Sequence, residues 1–228
     1  MQQLLPKISI KVNENVFIKD PDNSELGRKI LTQGIELIDK IGFENFTFGK
    51  LSKIIKSSEA SIYRYFESKH KLLLYYASWY WSWMEFSIVF KIANIDSPQD
   101  RLVRTLKFLT QEIEIDKSFS HINETKLNKI IINESSKVYH TIEVDSENRD
   151  GIYSGFKQLV SRVSEIILEI NPDYPYSHML VSTVIEGAHS QRYFAKHLPR
   201  LTNVIDGEDA VTQFYTELVF KAIKSDNK

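Results

Sequence analysis

From Thr47 to Leu73 the chain reads TFGKLSKIIKSSEASIYRYFESKHKLL. Thr47 can accept a hydrogen bond from an orphan amide of a starting helix, with Lys50 at the third helical position. Leu51, Ile54 and Ile55 then fall on one face. Lys56 and Ser57 interrupt the pattern, and Ser58 caps a second, short helix. Ile62 and Phe66 lie one turn apart and face inward, which leaves Glu59, Ala60, Ser61, Tyr63 and Arg64 pointing out. A third helix starts behind Ser68. Two short helices across a tight turn, the second carrying small, aromatic and basic outward groups, form the geometry that lays a recognition helix in a major groove. A plain helical hairpin stacked in a core, with Tyr63 and Tyr65 as packing residues, gives the same spacing.

Upstream, Ile30, Leu31, Ile35, Leu37, Ile38 and Ile41 recur at helical spacing, so a helix is expected from Ser24 to Ile41 with Gly42 as a left-handed C-cap. Ahead of it, Ile8, Ile10 and Val12 alternate with polar residues before Asn13-Glu14-Asn15 and Val16-Phe17-Ile18. This predicts a short hairpin over Lys7 to Ile18. Downstream, helices are expected over 68–93, 98–115, 122–133, 147–170, 175–197 and 208–224. Pro98, Pro172, Pro175 and Pro199 mark breaks, as does Asp206-Gly207. The Ser-, Glu- and Asp-rich stretch from Glu134 to Asp150 is expected to be a surface loop.

With 228 residues, 42% of them hydrophobic, the chain can bury a sizeable core. It has no cysteine, which excludes disulfide frameworks, thiolate zinc sites and cysteine nucleophiles. Lys7, Lys11, Glu14 and Lys19 break up the first twenty residues, so no secretory signal is expected, and no apolar run reaches membrane-spanning length. The cytoplasm is the expected location. The formal charge of -1 is unevenly distributed. Gly27 to Tyr75 holds nine Lys and Arg against five Asp and Glu, a balance of +4, whereas the residues before it sum to -1 and those after it to -4. A basic head on an acidic body suits a nucleic-acid binder.

The pattern Ser58-x-x-Ser61-Ile62-Tyr63-x-Tyr65-Phe66-x-Ser68-Lys69-x-x-Leu72, with Gly42, Phe43, Thr47 and Leu51, resembles the DNA-binding signature of the TetR family. The resemblance covers about Gly27 to Leu74. It implies an all-α chain in three parts: an N-terminal extension (1–21, the possible hairpin), a three-helix helix-turn-helix domain (22–67) and a helical ligand-binding and dimerisation domain (68–228). It further implies a ligand-responsive repressor, acting as a homodimer on a palindromic double-stranded operator. Glu59, Ala60 and Ser61 would approach base edges, while Thr47, Tyr63, Tyr65 and Lys69 hold phosphates and Lys50 and Arg64 add charge nearby. The sequence departs from the family at four places, one of them the acidic Glu59, which can accept from a cytosine amino group but repels phosphate. Lys56 replaces the usual turn glycine, Ser57 its apolar neighbour, and Gly49 offers no side chain where one often reads a base. The alternative is a helical small-molecule-binding module with weak or lost DNA binding.

In the body, Trp79, Tyr80, Trp83 and Phe86, with Phe108 from the next helix, are candidates to line a site for an apolar or aromatic effector. Ordinary core packing is the competing reading. Val184, Gly187, Ala188, Phe214 and Leu218 form small and apolar stripes on the last two helices, as a two-fold helical interface requires; intramolecular packing would use the same stripes. Enzyme chemistry finds little support. Glu186 and His189 stand one turn apart, but a bundle metal site needs a second such pair. Gly151-Ile152-Tyr153-Ser154-Gly155 is not a nucleophile elbow. No catalytic residue, metal site or cofactor is expected.

Overall fold

The computed structural model describes residues 10–113 and 121–224, and among these every regular element is helical. They divide into two compact units, one of Met1–Trp83 with Ile113–Gly155 and one of Met84–Glu112 with Phe156–Lys228.

The first unit holds α1 (Glu25–Asn45), α2 (Phe48–Ile55), α3 (Glu59–Tyr63) and the front of α4 (Lys69–Ile92). It also holds α6 (Glu124–Asn133), α7 (Ser135–Tyr139) and α8 (Val144–Arg149). Ser24 caps α1 by accepting from the Gly27 amide. Gly42, read as the end of that helix, sits at φ 76° and ψ 156° and breaks it, but one further turn follows through Asn45. Ile30, Leu31, Ile35 and Ile38 fill the core from α1, and Leu51, Ile55, Ile62 and Phe66 meet them from the helix pair. From Leu72 to Trp81 every residue of α4 is buried, as a helix apolar on all sides must be.

Three expectations are corrected in this unit. The hairpin over Lys7 to Ile18 is absent from its described part: Glu14–Val16 is a 3-10 turn capped by Asn13, and Lys7 to Ser9 lie outside the described residues. The Asn13 side chain satisfies the Asn15 amide locally, a competitor that strand pairing does not outbid. The expected loop over 134–150 instead contains α7 and α8, because Val138 and Glu147 are buried anchors within its polar sequence. The helix expected over 147–170 is interrupted at Gly151, whose φ of 78° ends α8 before α9 (Ser154–Ile170) begins.

The second unit contains the rest of α4, then α5 (Pro98–Thr110), most of α9, α10 (Ser177–His197), a 3-10 turn at Pro199–Leu201 and α11 (Ala210–Ala222). Ser97 caps α5 with Pro98 in the first turn, where a missing N–H costs nothing. Arg192 of α10 clamps this unit. Its guanidinium donates to the Thr110 carbonyl at 2.8 Å and to both Asp209 oxygens at 2.6 and 2.7 Å, just where Asp209 caps α11. No helix among the described residues is long and apolar enough to cross a membrane.

Candidate nucleic-acid interface

The helix pair is built by its caps. The Thr47 hydroxyl accepts from the Lys50 amide at 3.2 Å, and Ser58 does the same for Ser61 at 3.2 Å, as the sequence predicts. Between them α2 ends on Lys56, which takes the left-handed conformation at φ 54° and ψ 49°. The Lys56 and Ser57 amides both return to the Ser52 carbonyl, closing the last turn. The family's glycine at this position therefore has a physical reason, and this chain holds the same geometry with a lysine.

Ile62 and Phe66 are fully buried, and α3 turns Glu59, Ala60, Tyr63 and Arg64 to the surface with Ser61 half-exposed. Tyr63 is 47% exposed and leans its ring edge-on against Phe48, centroids 5.0 Å apart, so it projects from a fixed base. Lys53, Lys56 and Arg64 are exposed and form no ion pair among the described residues. Three cations without carboxylate partners around one short helix leave a positive field available to phosphates. Glu59 stands among them. Its carboxylate covers Gly49, 3.2 Å from where a β-carbon would sit, so the missing side chain at 49 makes room for the acidic one at 59.

Two predicted phosphate ligands are placed differently from the rest. Tyr65 is 4% exposed, with its hydroxyl 2.8 Å from the Ser24 hydroxyl. The Lys69 ammonium donates to the carbonyls of Phe43, Glu44 and Phe46 at 3.1, 3.3 and 3.3 Å. It thereby satisfies acceptors that the kink at Gly42 strands at the end of α1. Lys50 likewise donates to the Asn45 carbonyl at 2.7 Å. On the opposite side of the same turn, Glu134 accepts from the Phe43 amide at 3.4 Å, while Lys137 pairs with Glu134 and with Glu44. The α1–α2 corner is thus fixed by Lys69 from α4 and by Glu134 and Lys137 from the junction of α6 and α7. Nothing in the local pattern around Glu134 announces that role, since the Phe43 amide it accepts from lies ninety-one residues away.

Of the candidate effector residues, Trp79, Tyr80 and Trp83 are buried together in the first unit. Trp79 and Trp83 stack with centroids 6.2 Å apart, and the Tyr80 hydroxyl accepts from Asn128 at 2.7 Å. Phe86 and Phe108 belong to the second unit, where Phe86 pairs with Phe90 at 4.6 Å and Lys91 lies over the Phe108 ring at 4.6 Å. Of the candidate interface residues, Val184 and Ala188 are buried within the second unit, and Gly187 lies directly under the Tyr215 hydroxyl. Phe214 and Leu218 are exposed, with Tyr176 and Met179 of the α10 end exposed as well.

An exposed, separately capped short helix behind a tight turn, in a basic setting, is the arrangement of a helix-turn-helix. Residues 30–76 match the family model for bacterial regulatory proteins of the tetR family. The matched segment runs from Ile30 in α1 to Tyr76 in the front of α4, so the resemblance to that family rests on the helix-turn-helix part of the chain. No curated protein matches it significantly in sequence. Its fold is similar to that of the superantigen PfiT (17% identity, TM-score 0.60, covering 91% of this chain and 100% of that one). It is also similar to AibR in complex with isovaleryl coenzyme A and operator DNA (16%, 0.54, 85% and 97%). The TetR family transcriptional regulator PfmR from Thermus thermophilus is a third solved structure of similar fold (12%, 0.54, 87% and 99%).

Proposed function

We propose that this protein is a ligand-responsive repressor that works in the cytoplasm as a homodimer on a palindromic operator, with residues 22–67 as the DNA-binding part and 68–228 as the sensing and dimerising part. The observation that carries the reading is the face of α3: Ile62 is buried while Glu59, Ala60, Tyr63 and Arg64 project, with Lys53 and Lys56 unpaired beside them. Glu59, Ala60 and Ser61 would read base edges. Thr47, Tyr63 and Arg64 would meet phosphates, and Lys50, Tyr65 and Lys69 would shape the corner that presents them. Exposed Phe214 and Leu218 on α11 support a second copy of the chain as partner. A two-fold dimer sets its recognition helices about one DNA turn, ~34 Å, apart.

The effector would be a small apolar or aromatic molecule acting at the Trp79, Tyr80 and Trp83 cluster. AibR, of the same fold, is described with isovaleryl coenzyme A and operator DNA together, which supports a regulator read by a small acyl ligand. Such a ligand represses or releases DNA only through different affinities for two conformers. The test is fluorescence anisotropy on DNA flanking the gene. Affinity should fall steeply between about 50 and 200 mM salt, as counterion release requires. Absent or salt-insensitive binding contradicts the reading. Because all three tryptophans fall at 79, 81 and 83, effector binding reports directly in tryptophan emission. The exposed Glu59 carboxylate, which repels phosphate, favours the alternative of a small-molecule module with little DNA affinity. That alternative predicts an emission change without salt-dependent DNA association.

A further inference from the structure

Asn13 to Lys19 precede the helix-turn-helix, yet they touch both the end of its recognition helix and a turn far away in sequence. At one end, the Asn13 and Asn15 side-chain amides donate to the Asp150 carbonyl at 2.9 and 3.1 Å. The neighbouring Gly151 leaves room for this contact: a β-carbon there would stand 3.2 Å from the Asn13 amide nitrogen. In the middle, Val16 is fully buried and Phe17 meets Tyr75 edge-on at 6.2 Å. At the other end, the Ile18 amide donates to the Tyr65 carbonyl at 2.8 Å, and the Lys19 ammonium lies over the Tyr65 ring, 5.3 Å from its centroid.

Tyr65 closes the turn that ends α3. Its amide donates to the Ile62 carbonyl at 2.8 Å, so a bond to its own carbonyl acts on the recognition helix itself. A five-residue helix is too short to be stable alone and takes its orientation from what holds its ends. The front end is held by Ser58. The back end is held by this segment, and beyond it Asp22 accepts from the Tyr75 hydroxyl at 2.9 Å and pairs with His121 at 2.8 Å.

We infer that Asn13–Lys19 is a positioning strap for the recognition helix, tying its C-terminal end to the turn between α8 and α9. Asn13, Asn15 and the Ile18 amide are positioning groups: they set how α3 is presented to DNA without touching DNA. This rests on the DNA-binding reading of α3. The coupling also runs both ways, so movement of the Asp150 turn reaches α3 through the strap.

Ile18→Pro against Ile18→Ala isolates the bond. The Ile18 side chain is exposed, so alanine keeps the donor and loses little, while proline removes the donor. Phe17, at φ −141° and ψ 155°, is already in the extended region that a following proline demands. Two readouts are taken on the full chain: hydrogen exchange of the amides over 59–66, and the ratio of operator to non-specific DNA affinity. Ile18→Pro should speed exchange and lower the ratio by about tenfold each, the scale of one hydrogen bond, with Ile18→Ala matching the wild type. Asn13→Ala with Asn15→Ala should move both readouts in the same direction from the far end, with non-specific binding unchanged. If Ile18→Pro fails to fold, this pair decides alone. Unchanged exchange over 59–66 in the folded variants overturns the strap. If no DNA binding is found even for the wild type, the DNA reading fails, and the exchange arm still decides whether the strap holds α3.

Discussion

Replacing Lys56 by glycine should make the protein more stable and bind DNA less tightly. Lys56 sits at φ 54° and ψ 49°, where a side chain meets its own backbone. For an ordinary residue that conformation costs roughly 1–2 kcal/mol. Glycine removes the cost but brings a more disordered unfolded state, which returns about 0.5–1 kcal/mol. The net gain is about 0–1.5 kcal/mol, near 0.75 at the middle of both ranges, or roughly 1.5–3 °C in melting temperature for a chain of this size. Both amides that close α2 remain available, since neither belongs to the side chain. On DNA the same change deletes one exposed cation, so if Lys56 meets a phosphate the slope of log K against log salt becomes shallower by about 0.9. Chemical denaturation and a salt titration of operator binding measure the two effects. Lys53→Gly is the control: it lies inside α2, loses a charge likewise, and should destabilise by about 1 kcal/mol. A Lys56→Gly protein less stable than its parent would refute the backbone argument.

Removing the cap of the recognition helix by Ser58→Ala should cost about 1 kcal/mol and weaken operator binding, measured by denaturation and anisotropy in parallel. Lys69→Met leaves the Phe43, Glu44 and Phe46 carbonyls without their donor and should destabilise by about 2 kcal/mol, visible as a lower unfolding midpoint. Burial pushes the His189 imidazole down to about 4. An unfolded chain takes up that proton near its ordinary value of 6.5 while the folded chain resists it. Stability from this group is therefore complete above pH 6.5 and declines as the pH falls toward 4, by up to about 3 kcal/mol. His189→Gln should flatten that part of the stability profile, and a His189 resonance titrating near 6.5 in the folded protein would contradict it.

The helix-turn-helix was legible because its signals are local. Thr47, Ser58 and Ser68 each bond an amide three residues on, and Ile62 and Phe66 repeat at one turn, so a short window contains the whole argument. Tyr65 and Lys69 show the limit of that window. The family resemblance makes both of them phosphate ligands; in the fold one reaches Ser24 and the other the end of α1, forty-one and twenty-three to twenty-six residues away. The stretch from Glu134 to Asp150 misleads for a related reason. Its Ser, Glu and Asp look solvated, but Glu134 and Glu147 are buried because Phe43, Lys137, His70 and Tyr153 supply their hydrogen bonds. The apparent hairpin failed where Asn13 preferred a local cap and a long-range bond to Asp150 over strand pairing. At Gly187, expected as part of a stripe suited to a two-fold helical interface, the Tyr215 hydroxyl of the same chain occupies the space above the glycine.

The most direct test of the account is a footprint of the purified full chain on the DNA flanking its own gene. The account predicts two protected patches related by two-fold symmetry, with centres about 10 base pairs or a multiple of that apart, that fade together as salt rises. A protein that protects no DNA there at low salt, or protects it without regard to sequence, contradicts the claim that α3 reads an operator.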